Sequence, residues 1–182
     1  MGTRGLLVVY DRGNNKRKYT RIATMYVVYD AYPDGFMCLL CEYLKDRVIR
    51  NGISNTYANI NGMDDLASII VSYMKYLAST WQKEDRPNKT PLIPSGYIYL
   101  IPNNTKVRET DADFVYYLYP PEGYEKLYDM SMITTQSPTE WLEIPFMAVR
   151  VRAYKYDWHD GKLKLLFNGT MGRYYEKYCV YE

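Results

Sequence analysis

The stretch Asp30-Ala31-Tyr32-Pro33-Asp34-Gly35 joins a strand-like amino-terminal region to the first helical pattern of the chain. Pro33 fixes its own φ angle and disfavours helical backbone at Tyr32, so the incoming strand must end there. Asp34 is a residue type that caps helix amino termini, and Gly35 allows a tight turn into the helix. The stretch therefore predicts a strand-to-helix junction, of which a well-capped turn is the simplest interpretation.

Two strand-like runs precede this junction. Leu6 to Tyr10 is continuously apolar, as in a strand buried on both faces, and Lys18 to Tyr29 forms the second run. The residues between them, Asp11 to Asn15, have the composition of a turn. The two runs are therefore predicted to pair as an antiparallel hairpin.

Two helical patterns follow the junction. Apolar residues recur at helical spacing from Phe36 to about Arg50, and Asn51-Gly52 ends this pattern. A loop rich in Asn, Ser and Thr is predicted from Ile53 to Gly62. A second helix is predicted to begin at Asn61 or Asp64 and to run to about Lys83, again with one apolar stripe.

The rest of the chain is predicted to be mainly β-structure, ending in a hairpin that turns at Asp160-Gly161. The predicted segments are strands at Tyr97–Ile101, Phe114–Tyr119, Tyr124–Ile133, Phe146–Tyr156 and Lys162–Asn168, a loop at 84–96, a helical turn from Ser137 to Ile144, and a closing strand or short helix from Arg173 to Glu182. This order predicts a single α+β domain over residues 1–182, with an antiparallel sheet packed against two main helices. Residues 1–120 would form its core, and residues 121–182 a β-rich carboxy-terminal part.

Composition narrows the class of protein. Hydrophobic residues make up 47% of the 182 residues and charged residues 24%, which is typical of a soluble globular domain. No apolar run approaches the roughly 18 residues that span a bilayer, and the amino end lacks a secretory pattern, so a cytoplasmic protein without membrane contact is predicted. The net charge of +2, with acidic and basic residues interleaved, argues against a dominant phosphate-backbone binder but leaves room for a local basic patch, so nucleic acid is the weakest of the partner hypotheses.

Tyrosine is the unusual component, with 22 residues against four phenylalanines and three tryptophans. Its apolar ring and polar tip suit half-buried strand surfaces, and they also suit binding faces. Most of the tyrosines lie in the strand-like runs, which favours strand packing.

Several chemistries lack the residues that they need. The only histidine, His159, lies in the predicted last turn, which disfavours a Ser-His-Asp or Cys-His arrangement. Cys38, Cys41 and Cys179 are too few for a disulfide scaffold or a Cys/His zinc site. Cys38-Leu39-Leu40-Cys41 has the spacing of a redox pair, but the two leucines favour helix packing. No glycine-rich phosphate loop is present either, so neither a cofactor nor a metal is predicted.

Five segments of the chain carry a family resemblance. They are Met1-Gly2-Thr3-Arg4-Gly5-Leu6, Tyr29 to Gly35, Asn61-Gly62-Met63-Asp64-Asp65-Leu66-Ala67, Gly96 to Leu100, and Val115-Tyr116-Tyr117. They resemble, in the same order, a family of small proteins that begin with MGTRG-like residues and carry D-G-Y-P-x-G and N-G-M-x-x-L-A segments. The chain departs from that family at Ala31, where Gly or Ser is usual, and in a longer, more divergent region after Pro120.

The family occurs in phages, other viruses and bacteria, so the resemblance implies a viral or mobile-element origin and, for a viral protein, a location in the host cytoplasm. It also implies that the first three segments converge at the amino ends of both helices. The predicted ligand-binding residues are Thr3, Arg4, Asp30, Tyr32, Asp34, Asn61 and Asp64. Helix amino ends and an arginine suit an anion, and exposed tyrosines add stacking.

The leading hypothesis is a non-enzymatic binding protein, such as a viral or phage accessory or host-interaction factor, whose ligand is a small anionic molecule or a protein partner. One alternative is a metal-dependent hydrolase or nuclease-like enzyme that uses the Asp cluster. Another is a structural or virion protein that self-assembles through its tyrosine-rich sheet. Carboxylates at helix starts are more often caps than catalysts, which favours the non-enzymatic hypothesis.

Overall fold

The computed structural model describes residues 2–12, 18–52, 58–81, 93–128 and 142–180. The helices in these ranges are α1 (Phe36–Leu44), α2 (Gly62–Trp81) and α3 (Met171–Tyr178). The strands are β1 (Gly5–Arg12), β2 (Tyr19–Val27), β3 (Val48–Arg50), β4 (Asn59–Asn61), β5 (Ile98–Ile101), β6 (Phe114–Tyr119), β7 (Ile144–Pro145), β8 (Arg150–Asp157) and β9 (Lys162–Thr170). None of the helices in the described part of the chain is long and apolar enough to cross a membrane.

The strands form a six-stranded sheet in the order β5-β2-β1-β6-β8-β9 and a small sheet in the order β4-β3-β7. β1 and β2 pair as the predicted antiparallel hairpin, and β8 and β9 form the predicted last hairpin. β1 and β6 run parallel, whereas the other neighbours in the large sheet are antiparallel. The α+β fold is therefore confirmed, with a mixed sheet as its centre.

The two faces of the large sheet bury different sets of residues, because side chains alternate along a strand. On β1, Leu7 and Val9 belong to the main core, to which all three helices contribute. Leu6 points the other way, into a smaller cluster with Tyr26 and Val115. The helices thus cover one face, and the opposite face buries fewer residues.

The first helix is shorter than the sequence predicts. α1 ends at Leu44, and Val48 to Arg50 forms β3 instead of the last helical turn. Val48 and Ile49 are β-branched, and Ile49 is fully buried where β3 pairs in parallel with β4. Val48 fits both the helical and the strand pattern of apolar residues, and the pairing of β3 with β4 selects the strand.

The strand predicted from Tyr124 to Ile133 is wrong in its described part. Tyr124–Tyr128 is a 3-10 turn that follows Gly123, whose φ is +80°. The hydroxyls of Tyr124 and Tyr128 share a hydrogen bond of 2.9 Å, which suits a turn because the residues are four apart. Residues 129–133, most of the predicted loop at 84–96 and most of the helical turn predicted from Ser137 lie outside the described ranges.

At the carboxy end, the structure selects the helix of the two predicted alternatives. α3 begins after Thr170, whose hydroxyl accepts a hydrogen bond from the Arg173 backbone N–H at 3.3 Å. This is the N-cap arrangement that satisfies an otherwise unpaired helix donor. His159 lies exposed in the turn between β8 and β9, as predicted.

A disulfide links the first helix to the residue that follows the last helix. Cys38 on α1 is bonded to Cys179, which follows α3, at an S–S distance of 2.12 Å. Cys41 is free and buried, and burial raises the pKa of its thiol to about 12. The prediction that both cysteines of the Cys38–Cys41 pair serve helix packing is therefore correct for Cys41 and wrong for Cys38.

Candidate functional site

The amino-terminal segment and the junction pack against each other through their backbones. The Thr3 carbonyl accepts a hydrogen bond from the Ala31 N–H at 3.1 Å. A Cβ atom on Gly5 would lie 2.6 Å from the Ala31 Cβ, and one on Gly2 would lie 2.3 Å from the Tyr29 Cβ. These glycines are therefore required for close packing, and two of the three predicted segments do meet.

The junction itself is built without the predicted cap. Gly35, not Asp34, is the N-cap of α1, and its capping position makes no side-chain hydrogen bond. The Asp30 carbonyl instead accepts the Phe36 N–H at 2.9 Å, and Asp30 adopts a φ of +59°. A Cβ on Gly35 would lie 2.1 Å from that carbonyl oxygen, so only glycine fits there. Asp34 is exposed, and the prediction that it caps α1 is wrong.

Tyr32 and Asp30 form a local pair at the junction. The Tyr32 hydroxyl donates a hydrogen bond of 3.0 Å to the Asp30 carboxylate. Asp30 is also one of the charges that raise the pKa of the nearby Tyr97, after burial as the main cause. The Asp30 carboxylate therefore has a partner within the protein.

The Arg4 side chain does not lie at the junction; it lies on the face of the sheet opposite the helices. Its Nε lies 3.1 Å from the Asp111 carboxylate, and its Nη1 donates to the Tyr26 hydroxyl at 3.2 Å. Tyr26 in turn donates a short hydrogen bond to Asp111. The charge of Arg4 is thus compensated inside a three-residue network, and the side chain does not join Asp30 and Tyr32.

Asn61 and Asp64 lie at the opposite end of α2 from the junction. The ring of Trp81, the last residue of α2, lies 5.3 Å from that of Tyr97, and Tyr97 lies 4.7 Å from Tyr29 beside the junction. The 20 residues of α2 correspond to a length of about 30 Å at 1.5 Å per residue. The predicted convergence of the three segments is therefore wrong, and no carboxylate cluster forms between Asp30 and Asp64.

The polar groups at the start of α2 have structural partners. The Asn61 side chain accepts the Gly52 N–H at 2.8 Å, and the Asn61 N–H donates to the Asp65 carboxylate at 2.8 Å. Asp64 is exposed and accepts the Asp65 N–H at 3.0 Å. In the described part of the chain, no group of three His, Cys, Asp or Glu side chains is placed to hold a metal ion.

A different set of residues forms the candidate site, on the face of the sheet opposite the helices. We call it the tyrosine–arginine surface; it comprises Tyr10, Tyr19, Tyr117, Tyr119, Tyr154, Arg21, Arg150 and Arg152. It extends over the neighbouring strands β2, β1, β6 and β8. The strand register aligns Tyr10 with Arg21, and Tyr117 with Arg152.

The rings of this surface contact each other in sequence across the sheet. Tyr10 and Tyr119 are stacked, with centroids 4.7 Å apart and an interplanar angle of 13°. Tyr19 lies 5.5 Å from Tyr119, and Tyr117 lies 5.6 Å from Tyr154 in an edge-to-face arrangement. Tyr19 is the most exposed of the five, with 55% of its surface accessible, and the others are half-buried.

Two arginines lie over rings at the flanks of the surface. The Arg21 guanidinium lies 5.7 Å from the Tyr10 ring centroid, and it donates to the Tyr10 hydroxyl at 3.1 Å and the Asn103 carbonyl at 2.9 Å. The Arg152 guanidinium lies 5.3 Å from the Tyr119 ring centroid. Among the described residues, neither guanidinium forms an ion pair with a carboxylate.

Two tyrosines of the surface, Tyr117 and Tyr119, are held in their neutral form by burial. Burial raises the pKa of Tyr119 to about 12, Tyr10 adds to the rise, and Arg152 opposes it. Burial likewise raises the pKa of Tyr117, and Arg21 opposes that shift. Tyr117 and Tyr119 therefore add no negative charge beside the positively charged arginines.

Two grooves on the helical side of the sheet are weaker candidates for a binding site than the tyrosine–arginine surface. One, of about 490 Å³, lies between α1 and α2 and contains stacked Tyr43 and Tyr73 rings, together with both Arg47 and Asp65. The other, of about 400 Å³, is lined mainly by apolar residues of β2 and α2, with Asp64 at its edge. Opposite charges share the first groove, and the second offers little polarity.

Searches against protein-family models, curated proteins and solved structures find no match for this chain. Membership of the MGTRG family stays a prediction from the residues that resemble it. The sequence does contain a signal for the tyrosine–arginine surface, in the alternation Tyr117-Leu118-Tyr119 and Arg150-Val151-Arg152. In each, the apolar residue points into the core and its two neighbours point outwards.

Proposed function

We propose that this chain is a non-enzymatic binding protein whose ligand is anionic and binds at the tyrosine–arginine surface. One observation carries the proposal. Arg21 and Arg152 are held over tyrosine rings on a sheet face, and neither has a carboxylate partner among the described residues.

The contrast with Arg4 supports this reading. Arg4 already has Asp111 as its counter-charge, so an external anion gains little there. Arg152 is exposed and donates no hydrogen bond to another described residue, so its fork of N–H groups is available to a phosphate, sulfate or carboxylate. The ring beneath Arg152 restricts its motion, which lowers the entropy lost on binding.

The resemblance extends the proposal to a viral or phage accessory protein, and the resemblance alone would imply the host cytoplasm as its location. The Cys38–Cys179 disulfide argues against that location, because such bonds are uncommon in reducing compartments. Burial raises the pKa values of Tyr117 and Tyr119, so both hydroxyls stay protonated at neutral pH, which suits ring contacts and hydrogen bonds better than a general-base or nucleophilic role.

The test is the affinity of the full chain for a fluorescently labelled heparin oligosaccharide, measured by anisotropy at low salt. Arg152→Gln and Arg21→Gln are each expected to weaken binding about tenfold, the worth of a charge-assisted hydrogen bond. Arg173→Gln is the matched control, because Arg173 is exposed on α3 on the other side of the sheet. Wild-type affinity in both surface variants, or no binding by the wild type, would overturn the proposal.

A further inference from the structure

The tyrosine–arginine surface combines positive charge with aromatic rings, because its arginines lie on either side of a set of tyrosines. Arg21 lies on β2 and Arg152 on β8, and β1 and β6 lie between them. At about 4.8 Å per strand, the two flanks are about 14 Å apart. Tyr10, Tyr117 and Tyr119 occupy the strands in between.

From this arrangement we infer that the anion is single-stranded nucleic acid, with phosphates at the arginine flanks and unpaired bases stacked on the accessible tyrosine rings of the surface. The inference rests on the proposed anion binding and adds the class of ligand. Open sheets with aromatic side chains are one known way in which proteins stack two or three bases. Stacking on such rings tolerates any base, because every base has a π-face.

A single strand fits this surface better than a duplex or a mononucleotide. A duplex hides the faces of its bases, so tyrosine rings on a sheet have nothing to stack on. A mononucleotide carries its phosphates at one point, whereas a strand carries one at every nucleotide and therefore reaches both flanks. The 14 Å span, estimated from strand spacing, thus favours a polymer.

An acidic protein segment is the competing macromolecule. It would satisfy Arg21 and Arg152, but carboxylate side chains leave the tyrosine ring faces without a stacking partner. Tyr19 is 55% exposed and lies 5.5 Å from Tyr119. A planar base covers such a ring with its π-face, and its phosphate then lies beside an arginine. The combination of rings and uncompensated guanidinium groups therefore favours a nucleic acid.

The experiment compares affinities of the full chain for four labelled polymers at matched salt. They are a mixed-sequence 12-nucleotide single-stranded RNA, the DNA of the same sequence, the duplex of that DNA, and heparin, with poly-glutamate as a competitor. Both single strands are expected to bind at least tenfold more tightly than the duplex. Because each phosphate contact contributes a slope of about −0.7 in log K against log salt, Arg152→Gln should reduce the slope by about that amount.

The tyrosine variants separate stacking from charge. Tyr19→Ala is expected to weaken single-strand binding about tenfold, with heparin binding unchanged. Tyr76→Ala is the matched control, because Tyr76 is 64% exposed but lies on α2, on the helical side. Tyr119→Leu tests the centre of the surface, and circular dichroism checks that it folds; Tyr19→Ala decides the question if it does not.

Each outcome decides a different claim. Equal binding of heparin and single strands, with no effect of Tyr19→Ala, overturns the nucleic-acid inference and leaves the proposed anion binding intact. Competition by poly-glutamate at equal charge concentration also overturns it, in favour of an acidic partner. Binding of none of the polymers overturns both.

Discussion

The Asp30–Gly35 junction, which lies between β2 and α1, and the tyrosine–arginine surface on the sheet use their polar groups differently. At the junction, the Asp30 carboxylate accepts a hydrogen bond from Tyr32, and neighbouring Arg4 is paired with Asp111. On the surface, Arg152 lies over a tyrosine ring without a carboxylate partner among the described residues. Polar groups that have hydrogen-bond or ionic partners within the protein stabilise the fold. Polar groups without such partners can bind an external ligand.

The junction and the tyrosine–arginine surface also differ in how tightly their residues are packed. Glycines at the junction have no room for even a methyl group, since a Cβ on Gly35 would lie 2.1 Å from a carbonyl oxygen. The surface instead carries large rings, of which Tyr19 is 55% exposed. Changes at the junction should therefore alter stability, and changes on the surface should alter binding.

The largest expected effect on stability is that of the disulfide near the junction, which connects α1 to the residue after α3. The Cys38–Cys179 bond has a sequence separation of 141, and chain-entropy arguments give such a loop about 5 kcal/mol. Adding a reductant should lower the free energy of unfolding of the wild type by up to that amount, as measured by denaturation in guanidinium chloride. The Cys38→Ser/Cys179→Ser variant should not respond to reductant, and heparin binding should persist wherever the chain is folded. A wild type that is equally stable with and without reductant would refute this.

The next effect tests the packing of the junction directly. Gly35→Ala should lower the free energy of unfolding by about 2–3 kcal/mol, since a methyl group is forced against the rigid Asp30 carbonyl. Gly172→Ala is the control, because a Cβ there meets its nearest atom at 3.4 Å, and a helical alanine gains up to about 1 kcal/mol. Thermal unfolding of both variants gives the comparison. A Gly35→Ala variant as stable as the wild type would show that the close packing is not required.

A smaller effect separates the two kinds of arginine. Arg4→Gln should leave the free energy of unfolding close to that of the wild type, because its ion pair with Asp111 is exposed to solvent and screened by it. It should leave heparin binding unchanged, whereas Arg152→Gln weakens binding about tenfold. Anisotropy titrations of both variants at one salt concentration provide the test. Equal loss of affinity in the two variants would remove the distinction between compensated and uncompensated arginines.

The smallest expected effect is that of pH on binding. A tyrosinate on the surface would repel an anion, so binding is retained below the pKa and lost as pH rises through it. Because burial raises the pKa of Tyr119 to about 12 and also raises that of Tyr117, these groups stay neutral well past their ordinary pKa of about 10. Affinity for heparin should therefore be constant between pH 7 and about 9. A fall centred near pH 8 would mean that another group controls binding.

The elements that local pattern decides could be predicted from sequence. The β1–β2 hairpin, the β6 strand from Phe114 to Tyr119 and the β8–β9 hairpin follow from apolar runs and turn residues that are close along the chain. β3 was missed, because Val48 and Ile49 extend the apolar pattern of α1 and only their pairing with β4 selects a strand. Tertiary pairing of this kind has no local signal.

The residues that form the candidate site cannot be predicted from local sequence patterns, because tertiary structure brings them together. Asn61 and Arg4 are polar residues beside glycines, but the sequence does not show that the length of α2 separates them or that Asp111 compensates Arg4. The net charge of +2 argued against nucleic acid, yet charge balance over the whole chain says nothing about one face of a sheet. Arg21 and Arg152 are 131 residues apart and share a surface only because β2, β1, β6 and β8 are neighbours.

Ultraviolet cross-linking of the full chain to a single-stranded RNA, read out by peptide mass spectrometry, tests the central claim most directly. Cross-links are predicted on peptides that contain Tyr10, Tyr19, Tyr117 or Tyr119, and they should disappear in the Arg21→Gln/Arg152→Gln variant. Cross-links confined to the junction at Tyr32, or to Tyr43 and Tyr76 on the helical side, would contradict the assignment of the tyrosine–arginine surface as the binding site.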